Sequence, residues 1–205
     1  MTNDLFGLIE GRRAIKEFDN EAQITDSELD KILKYAQLTP TAYNTQPYRL
    51  LVVKDKEFRN SKEFDDAVFN QTAKTANSSA LVIICGDKKA WQKEPSRYWQ
   101  SADNDTQETM VSMINDFYKD SEQKQIDEVH RSAGMVGMNI MLMAENMGYQ
   151  TCPMNGIDYD KLGKVINLPE DHLISFMVAI GKKSKDPFER PTLINRDEFV
   201  HYNKF

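Results

Sequence analysis

A long apolar stretch, residues 131–148 with the sequence RSAGMVGMNIMLMAENMG, constrains the fold more than any other part of the chain. Between its first residue and Glu145 the only fully polar side chains are Ser132 and Asn139, which predicts a helix buried almost all round. Its uncharged part, residues 132–144, is shorter than the roughly 18 apolar residues that span a bilayer and is broken by Asn139, so we interpret the stretch as a core helix ended by Gly148. A helix buried on every side needs packing partners on every side, and we expect a second copy of the chain, in a homodimer, to be one of them. The central helix of a monomer is the alternative.

The rest of the chain predicts short helices and a few buried strands. Thr25 and Glu28 form a capping box, which marks a helix that starts there and ends before Pro40. Residues 80–85 (ALVIIC) are apolar without interruption, which indicates a strand buried on both faces. The pattern predicts further helices at 3–10, 55–75, 105–118 and 158–166, and further strands at 49–53 and 173–180. We therefore expect one α+β domain over residues 1–205, with helices on both faces of a small sheet.

Composition and spacing argue against several classes of protein. The net charge of −6, with lysine and arginine scattered among more numerous acids, argues against nucleic acid as a partner. His130, His172 and His201 lie far apart without the spacing of metal ligands, so we predict no metal site. Cys85 and Cys152 form no CxxC pair, and the first residues lack the apolar region of a signal peptide or an anchor. We expect a cytoplasmic protein with reduced thiols and no membrane attachment.

Residues 87–108 differ in composition from the apolar strand before them. They mix charged residues with Trp91, Tyr98 and Trp99, and their apolar residues show no clear period. We interpret them as an excursion from the core. Its aromatic residues either pin the excursion to the core or form a lid that stacks on flat ligands, and the sequence favours neither reading.

Polar groups at the ends of the apolar elements are the candidate site residues. Arg12, Arg13 and Lys16 follow the first helix, and Arg190 lies near the other end of the chain. Asn44 and Gln46 lie in a proline-bracketed loop, and the three groups together would suit an anionic, amide-rich ligand. Taken singly, each of these residues is typical of an ordinary surface or turn.

Several motifs, in their order along the chain, resemble the FMN-dependent nitroreductase family. They are GRRAIKEFD, PTAYNTQPYRLLVV, FNQTAKTANSSALVIICG, the long small-residue helix, GYQTCPMNGID, and LISFMVAIGKK ahead of ERPTL. The most specific of them is the loop at residues 40–47, which is similar to the family's PSxxNxQPW loop. The resemblance implies a three-layer sandwich with a small, mostly antiparallel sheet flanked by helices. It also implies an intertwined homodimer with FMN at the subunit interface.

The resemblance also implies roles for individual residues. Arg12 and Arg190 would hold the FMN phosphate, and Lys16 and Lys74 would lie near flavin N1 and O2. Asn44 would contact the ribityl side, Gln71 or its neighbour Asn70 would bond the pyrimidine edge, and the backbone of Asn155 and Gly156 would face N5. The remaining residues expected to line the cofactor are Arg13, Ala14, Thr41, Ala42, Gln46, Pro153 and Met154. No side-chain acid or base is needed. Ala14 and Asn155 depart from the serine and glutamate that the family commonly has.

The resemblance implies an oxidoreductase that takes hydride from NADH or NADPH. It would pass hydride to nitroaromatic, quinone or flavin acceptors by a ping-pong mechanism, so a small aromatic or quinone-like molecule is the expected acceptor. The alternatives are another FMN-using branch (dehalogenase, flavin-fragmenting or heterocycle-oxidising) and a non-catalytic flavin-binding dimer. The sequence does not distinguish NADH from NADPH.

Overall fold

The computed structural model describes residues 4–205. The strands are β1 (Tyr48–Val53), β2 (Ala80–Asp87), β3 (Gln150–Met154) and β4 (His172–Gly181). The α-helices are α1 (Leu5–Gly11), α2 (Asp26–Ala36), α3 (Lys56–Arg59), α4 (Lys62–Ala67), α5 (Thr72–Thr75), α6 (Asn104–Tyr118), α7 (Glu122–Asn146), α8 (Tyr159–Val165) and α9 (Arg196–Phe199). Short 3₁₀ turns lie at Ala42–Asn44, Ala90–Gln92 and Pro95–Trp99. Across these residues, no helix is both long and apolar enough to cross a membrane.

The four strands form one antiparallel sheet in the order β1-β2-β4-β3. Its two central strands are buried on both faces, as the apolar run at 80–85 predicts. Alternate residues point to opposite faces, so Leu81 and Ile83 belong to one core cluster while Val82 and Ile84 belong to the other. This confirms the predicted small antiparallel sheet.

Helices cover both faces of the sheet. On one face, α4 and α8 pack with the segment that carries Ile15 and Phe18. On the other face, α2 packs beside α7 through a cluster that includes Ile32 and Ile140. The Thr25–Glu28 capping box starts α2 as predicted, with hydrogen bonds in both directions. The three-layer α+β architecture is therefore confirmed.

The central helix α7 differs from the prediction in length and in burial. It begins at Glu122, before the apolar run. Its first turns contain Gln125 and Glu128, which are polar residues that are nevertheless buried. Within one chain it is buried on one face only, since Met135 on the opposite face is 40% exposed. The buried face packs tightly, because a Cβ built at Gly137 would lie 2.3 Å from Cζ of Phe176.

The predicted helix at 55–75 is wrong as one element. The structure has three short helices there, α3 to α5, and the chain turns at Ser61 and again at Phe69 and Asn70. Phe69 and Asn70 have positive φ angles of 53° and 55°, which an α-helix cannot contain. Phe69 is 55% exposed, so the prediction that it is a core residue is also wrong.

The region that follows β2 agrees with the prediction in part. Helix α6 is present, and Ile114 is buried as expected, but Met113 and Phe117 are 47% and 38% exposed in the single chain instead of inward. Trp91 is buried and stacks on Tyr118, with ring centres 6.2 Å apart. The first aromatic residue of the excursion therefore pins it to the core.

Candidate functional site

Three segments that are distant in sequence meet near the end of β3. The Lys16 amino group lies 4.0 Å from Sγ of Cys152, and Lys74 donates a hydrogen bond to Oε1 of Gln71. The Gln71 amide in turn donates to the carbonyl of Gly156 at 2.7 Å. Burial raises the pKa of the Cys152 thiol, while the positive charges of Lys16 and Lys74 oppose that rise. We call these five residues the Lys16 cluster.

Backbone pairing fixes the position of Lys16. Ala14 makes an isolated parallel bridge with Thr151 of β3, and the N–H of Ile15 donates to the carbonyl of Thr151 at 3.0 Å. The Ile15 side chain is buried, and in extended backbone the next side chain points the other way. Lys16 is therefore presented to solvent beside β3.

Lys74 and Gln71 are held by a buried arginine. The guanidinium of Arg59, which is 1% exposed, donates to the carbonyl of Thr75 at 2.7 Å. Thr75 is the last residue of α5, the helix that carries Lys74, so Arg59 fixes the end of that helix. Of the two neighbours considered from the sequence, Gln71 reaches Gly156, whereas the Asn70 N–H is bonded to the carbonyl of Asp65.

Three arginines meet where the C-terminal segment returns to α1. Arg190 donates to the carbonyls of Glu10 at 2.8 Å and Arg12 at 3.1 Å, and Arg13 donates to the carbonyl of Phe188. Within the part of the chain that the structure describes, none of the three forms a salt bridge with a carboxylate. We call Arg12, Arg13 and Arg190 the arginine corner, and its unneutralised guanidinium groups suit a phosphate.

The carboxyl group of Glu145 interacts electrostatically with Arg12 of the arginine corner. Burial raises the pKa of this carboxyl group, and the charges of Arg12 and Lys183 oppose the rise. One of its oxygens is buried without a hydrogen-bond partner in the described chain. Arg12 is therefore only weakly neutralised by this neighbour.

The proline loop, residues 40–47, is held in a strained conformation. Tyr43, Asn44 and Gln46 have φ angles of 51°, 55° and 42°. The Gln46 N–H donates to the Thr41 hydroxyl at 2.9 Å, and the Ala42 N–H donates to the buried carboxylate of Glu128 at 3.2 Å. Non-glycine residues with positive φ persist where the surroundings impose them, and such strain is typical of ligand-binding positions.

The proline loop lies apart from the other candidate residues within one chain. Asn44 donates to the carbonyl of Tyr98 at 3.3 Å, so the loop is attached to the excursion and to α7. Among residues 4–205, no hydrogen bond or ion pair joins the loop to the Lys16 cluster or to the arginine corner. Thr41, Ala42, Asn44 and Gln46 therefore form a group of their own within one chain.

A groove of about 520 Å³ opens beside the turn after β3. Pro153, Met154 and Asn155 line it together with His130 and Ser175, and His130 Nδ1 lies 3.0 Å from the Ser175 hydroxyl oxygen. His130 and Ser175 were not predicted as site neighbours, because they come from separate elements and belong to no motif.

These features define an α+β sandwich with a cationic, amide-containing site beside the last residues of β3. The sequence model of the nitroreductase family matches residues 9–182, so the chain belongs to the nitroreductase family and is an enzyme of the oxidoreductase class.

Individual relatives extend the comparison over most of the chain. Protein DrgA of Synechocystis is 37% identical over 183 residues, which cover 89% of this chain and 86% of DrgA. The oxygen-insensitive NADPH nitroreductase of Helicobacter acinonychis is 26% identical over 193 residues, 89% of each chain. A structure from Exiguobacterium sibiricum, solved in complex with FMN, superposes with a TM-score of 0.85 at 24% identity and covers 98% of this chain and 97% of that one.

Proposed function

We propose that the protein is an FMN-dependent oxidoreductase that transfers hydride from NADH or NADPH to nitroaromatic, quinone or flavin acceptors. The observation that carries this proposal is that two separate segments place cations and an amide beside the end of β3: Lys16 lies against Cys152, and Lys74 contacts Gln71, whose amide donates to the carbonyl of Gly156. Two cations and an amide match the N1, O2 and pyrimidine edge of an isoalloxazine ring. The FMN complex of the structural relative and the NADPH nitroreductase name of the sequence relative support the same cofactors.

The chain's residues fit FMN in their chemistry. The arginine corner offers guanidinium groups without carboxylate partners, and Arg12 and Arg190 would hold the phosphate through charge-assisted hydrogen bonds. Ala14 leaves one fewer hydroxyl contact there. FMN supplies two-electron hydride chemistry when it is bound. Lys16 and Lys74 would stabilise negative charge near N1, and the N–H groups of residues 155 and 156 would donate toward N5.

We propose that the proline loop reaches a site on a second copy of the chain. Within one chain the loop and the Lys16 cluster are separate, and the exposed face of α7 carries the apolar side chain of Met135. An intertwined homodimer would cover this face and bring Thr41, Ala42, Asn44 and Gln46 to the ribityl side of the partner's FMN. Each site would then contain residues of both copies.

The one-domain organisation of residues 1–205 and the excursion at 87–108 are part of the proposal. Because Trp91 is anchored on Tyr118, a lid would consist of the residues that follow it, including Tyr98 and Trp99. Cys85 and Cys152 are buried free thiols, which supports a cytoplasmic location.

Ping-pong kinetics follow if the nicotinamide and the acceptor use the same face. Each must lie flat within hydride reach of N5, with reacting atoms roughly 3 to 3.5 Å apart, so the donor has to leave before the acceptor enters. The non-catalytic alternative is less well supported, because both lysines and the Asn155 turn are retained.

Purification followed by anaerobic titration tests the proposal. The protein should purify yellow with about one FMN per chain, NADH or NADPH should bleach the flavin spectrum, and a quinone should restore it. Steady-state assays should give parallel double-reciprocal lines. A colourless protein that gains no flavin spectrum with added FMN would refute the cofactor assignment, and intersecting lines would refute the shared face.

A further inference from the structure

A second groove, separate from the Lys16 cluster and of about 490 Å³, lies between the proline loop and the excursion. We call it the cationic groove, and the residues that line it include Gln37, Gln46, Arg49, Arg97, Tyr98 and Gln100. Two guanidinium groups and three side-chain amides face the same space, and no carboxylate is among its lining residues. This is a donor-rich environment, although the chain as a whole carries a net charge of −6.

Arg97 has a large capacity for further hydrogen bonds. Its guanidinium donates to the Tyr98 hydroxyl at 2.7 Å and lies 4.8 Å from the centre of the Tyr98 ring. Within residues 4–205 it forms no salt bridge with a carboxylate. The contact with Tyr98 restricts the side chain and leaves most of its N–H groups available to an anion.

Arg49 is fixed at the other side of the cationic groove. It donates to the carbonyls of Gln46 at 2.8 Å and Tyr48 at 2.9 Å, which holds the guanidinium at the start of β1. Its nearest carboxylate is Asp87 at 3.4 Å, but Lys93 lies closer to that carboxylate at 2.9 Å. The charge of Arg49 is therefore only partly neutralised.

The size and chemistry of the groove narrow the class of ligand. A volume of this order accommodates part of a nucleotide, and paired arginines recognise phosphate by bidentate hydrogen bonds. The groove shares Gln46 with the proline loop, and Asn44 of that loop is bonded to the carbonyl of Tyr98. An anion held here would lie next to the loop that the proposed FMN site uses.

We propose that the cationic groove binds a phosphate group of the nicotinamide dinucleotide donor, with Arg97 and Arg49 as the residues that bind it. This inference rests on the proposed function. The phosphate is either the 2′-phosphate, which only NADPH carries, or the diphosphate, which NADH and NADPH share. In the first case Arg97 selects NADPH, and in the second it binds both donors equally.

Calorimetric titration of the purified protein at low salt distinguishes these cases without a reaction. The probes are adenosine 2′,5′-bisphosphate and ADP, and the variant is Arg97→Gln, which keeps polarity and removes the charge. Loss of a charge-assisted contact should weaken binding about tenfold. Arg196→Gln is the matched control, because Arg196 is also exposed and donates to a tyrosine hydroxyl, that of Tyr202, at 3.3 Å.

Each outcome bears on the inference. If only adenosine 2′,5′-bisphosphate binds and Arg97→Gln weakens its binding, the groove holds the 2′-phosphate. If ADP binds, alone or together with the bisphosphate, and Arg97→Gln weakens its binding, the groove holds the diphosphate, whose 5′-phosphate both probes carry. If neither probe binds, or if Arg97→Gln and Arg196→Gln bind like the wild type, the inference is wrong. Arg49→Gln provides a second variant in the same assay. The flavin spectrum of the same preparation tests the proposed function separately, since it does not depend on Arg97.

Discussion

Replacing Arg59 with methionine should destabilise the fold strongly, although Arg59 lies outside the groups that we assign to the cofactor. Its guanidinium is 1% exposed and donates to the carbonyls of Thr75 at 2.7 Å, Ser78 at 2.8 Å and Lys54 at 3.1 Å. It thereby ties α3 to the end of α5 and to the chain that enters β2. Methionine matches the unbranched part of the arginine side chain, but it is shorter and donates no hydrogen bond.

The expected magnitude follows from the groups that lose their donor. Hydrogen bonds to charged groups contribute about 1.5–3 kcal/mol each, and a buried carbonyl left without a partner costs about 1–3 kcal/mol. The Thr75 carbonyl still accepts from the Ser78 hydroxyl at 3.1 Å, whereas the buried Ser78 carbonyl loses the guanidinium. Burial lowers the pKa of Arg59, so removing the charge returns part of its desolvation cost. We expect a net loss of about 4 kcal/mol in the free energy of unfolding.

Urea unfolding followed by circular dichroism measures this loss, and a thermal melt should show a midpoint lower by roughly 10 °C. Arg196→Met serves as the control, because this exposed arginine should change stability by less than about 0.5 kcal/mol. FMN retention should fall together with stability, since the end of α5 carries Lys74. An unfolding free energy within about 1 kcal/mol of the wild type would refute the role that we give to Arg59.

Three further predictions concern the cofactor and the core. Lys16→Ala should slow flavin reduction by the nicotinamide by an amount equivalent to about 2.7–4 kcal/mol, measured by anaerobic stopped flow, because a cation near N1 is lost; an unchanged rate would contradict this. Arg190→Ala should weaken FMN retention in a dialysis assay, with a smaller difference from the wild type at high salt because salt screens the lost contact, and unchanged retention would remove Arg190 from the site. Gly137→Ala should lower stability by about 1–3 kcal/mol, because its Cβ would meet Phe176 at 2.3 Å. Gly163→Ala, where the nearest atom is 3.8 Å away, should instead stabilise by up to about 1 kcal/mol, and equal effects would be inconsistent with the packing described.

Local signals made much of the fold predictable from the sequence. The start of α2 follows from Thr25 and Glu28, and the burial of β2 follows from its uninterrupted apolar run. The break inside residues 55–75 was not predictable, because nothing in the apolar spacing indicates that Phe69 adopts a positive φ angle. The start of α7 was also not predictable from apolar spacing. Gln125 and Glu128 are polar, and they are buried because they make tertiary hydrogen bonds.

Lys74, Gln71 and the turn at Asn155 became candidate site residues only through the resemblance. Lys16 is an ordinary surface lysine by composition, and its position near Cys152 depends on the pairing of Ala14 with Thr151 of β3. The structure also selects Gln71 over Asn70 as the side chain that reaches Gly156. The cationic groove belongs to no motif, because Arg49 and Arg97 approach each other only after the excursion folds back over the proline loop.

The separation of the proline loop from the Lys16 cluster within one chain has a genetic consequence in the homodimer that we propose. An Asn44 variant and an Arg190 variant would each damage both sites of their own dimers. Mixed dimers would instead collect both defects in one site and leave the other intact, so random reassociation would restore about a quarter of all sites. Two inactive alleles expressed in one cell would then complement each other, whereas two alleles that both alter the Lys16 cluster would not.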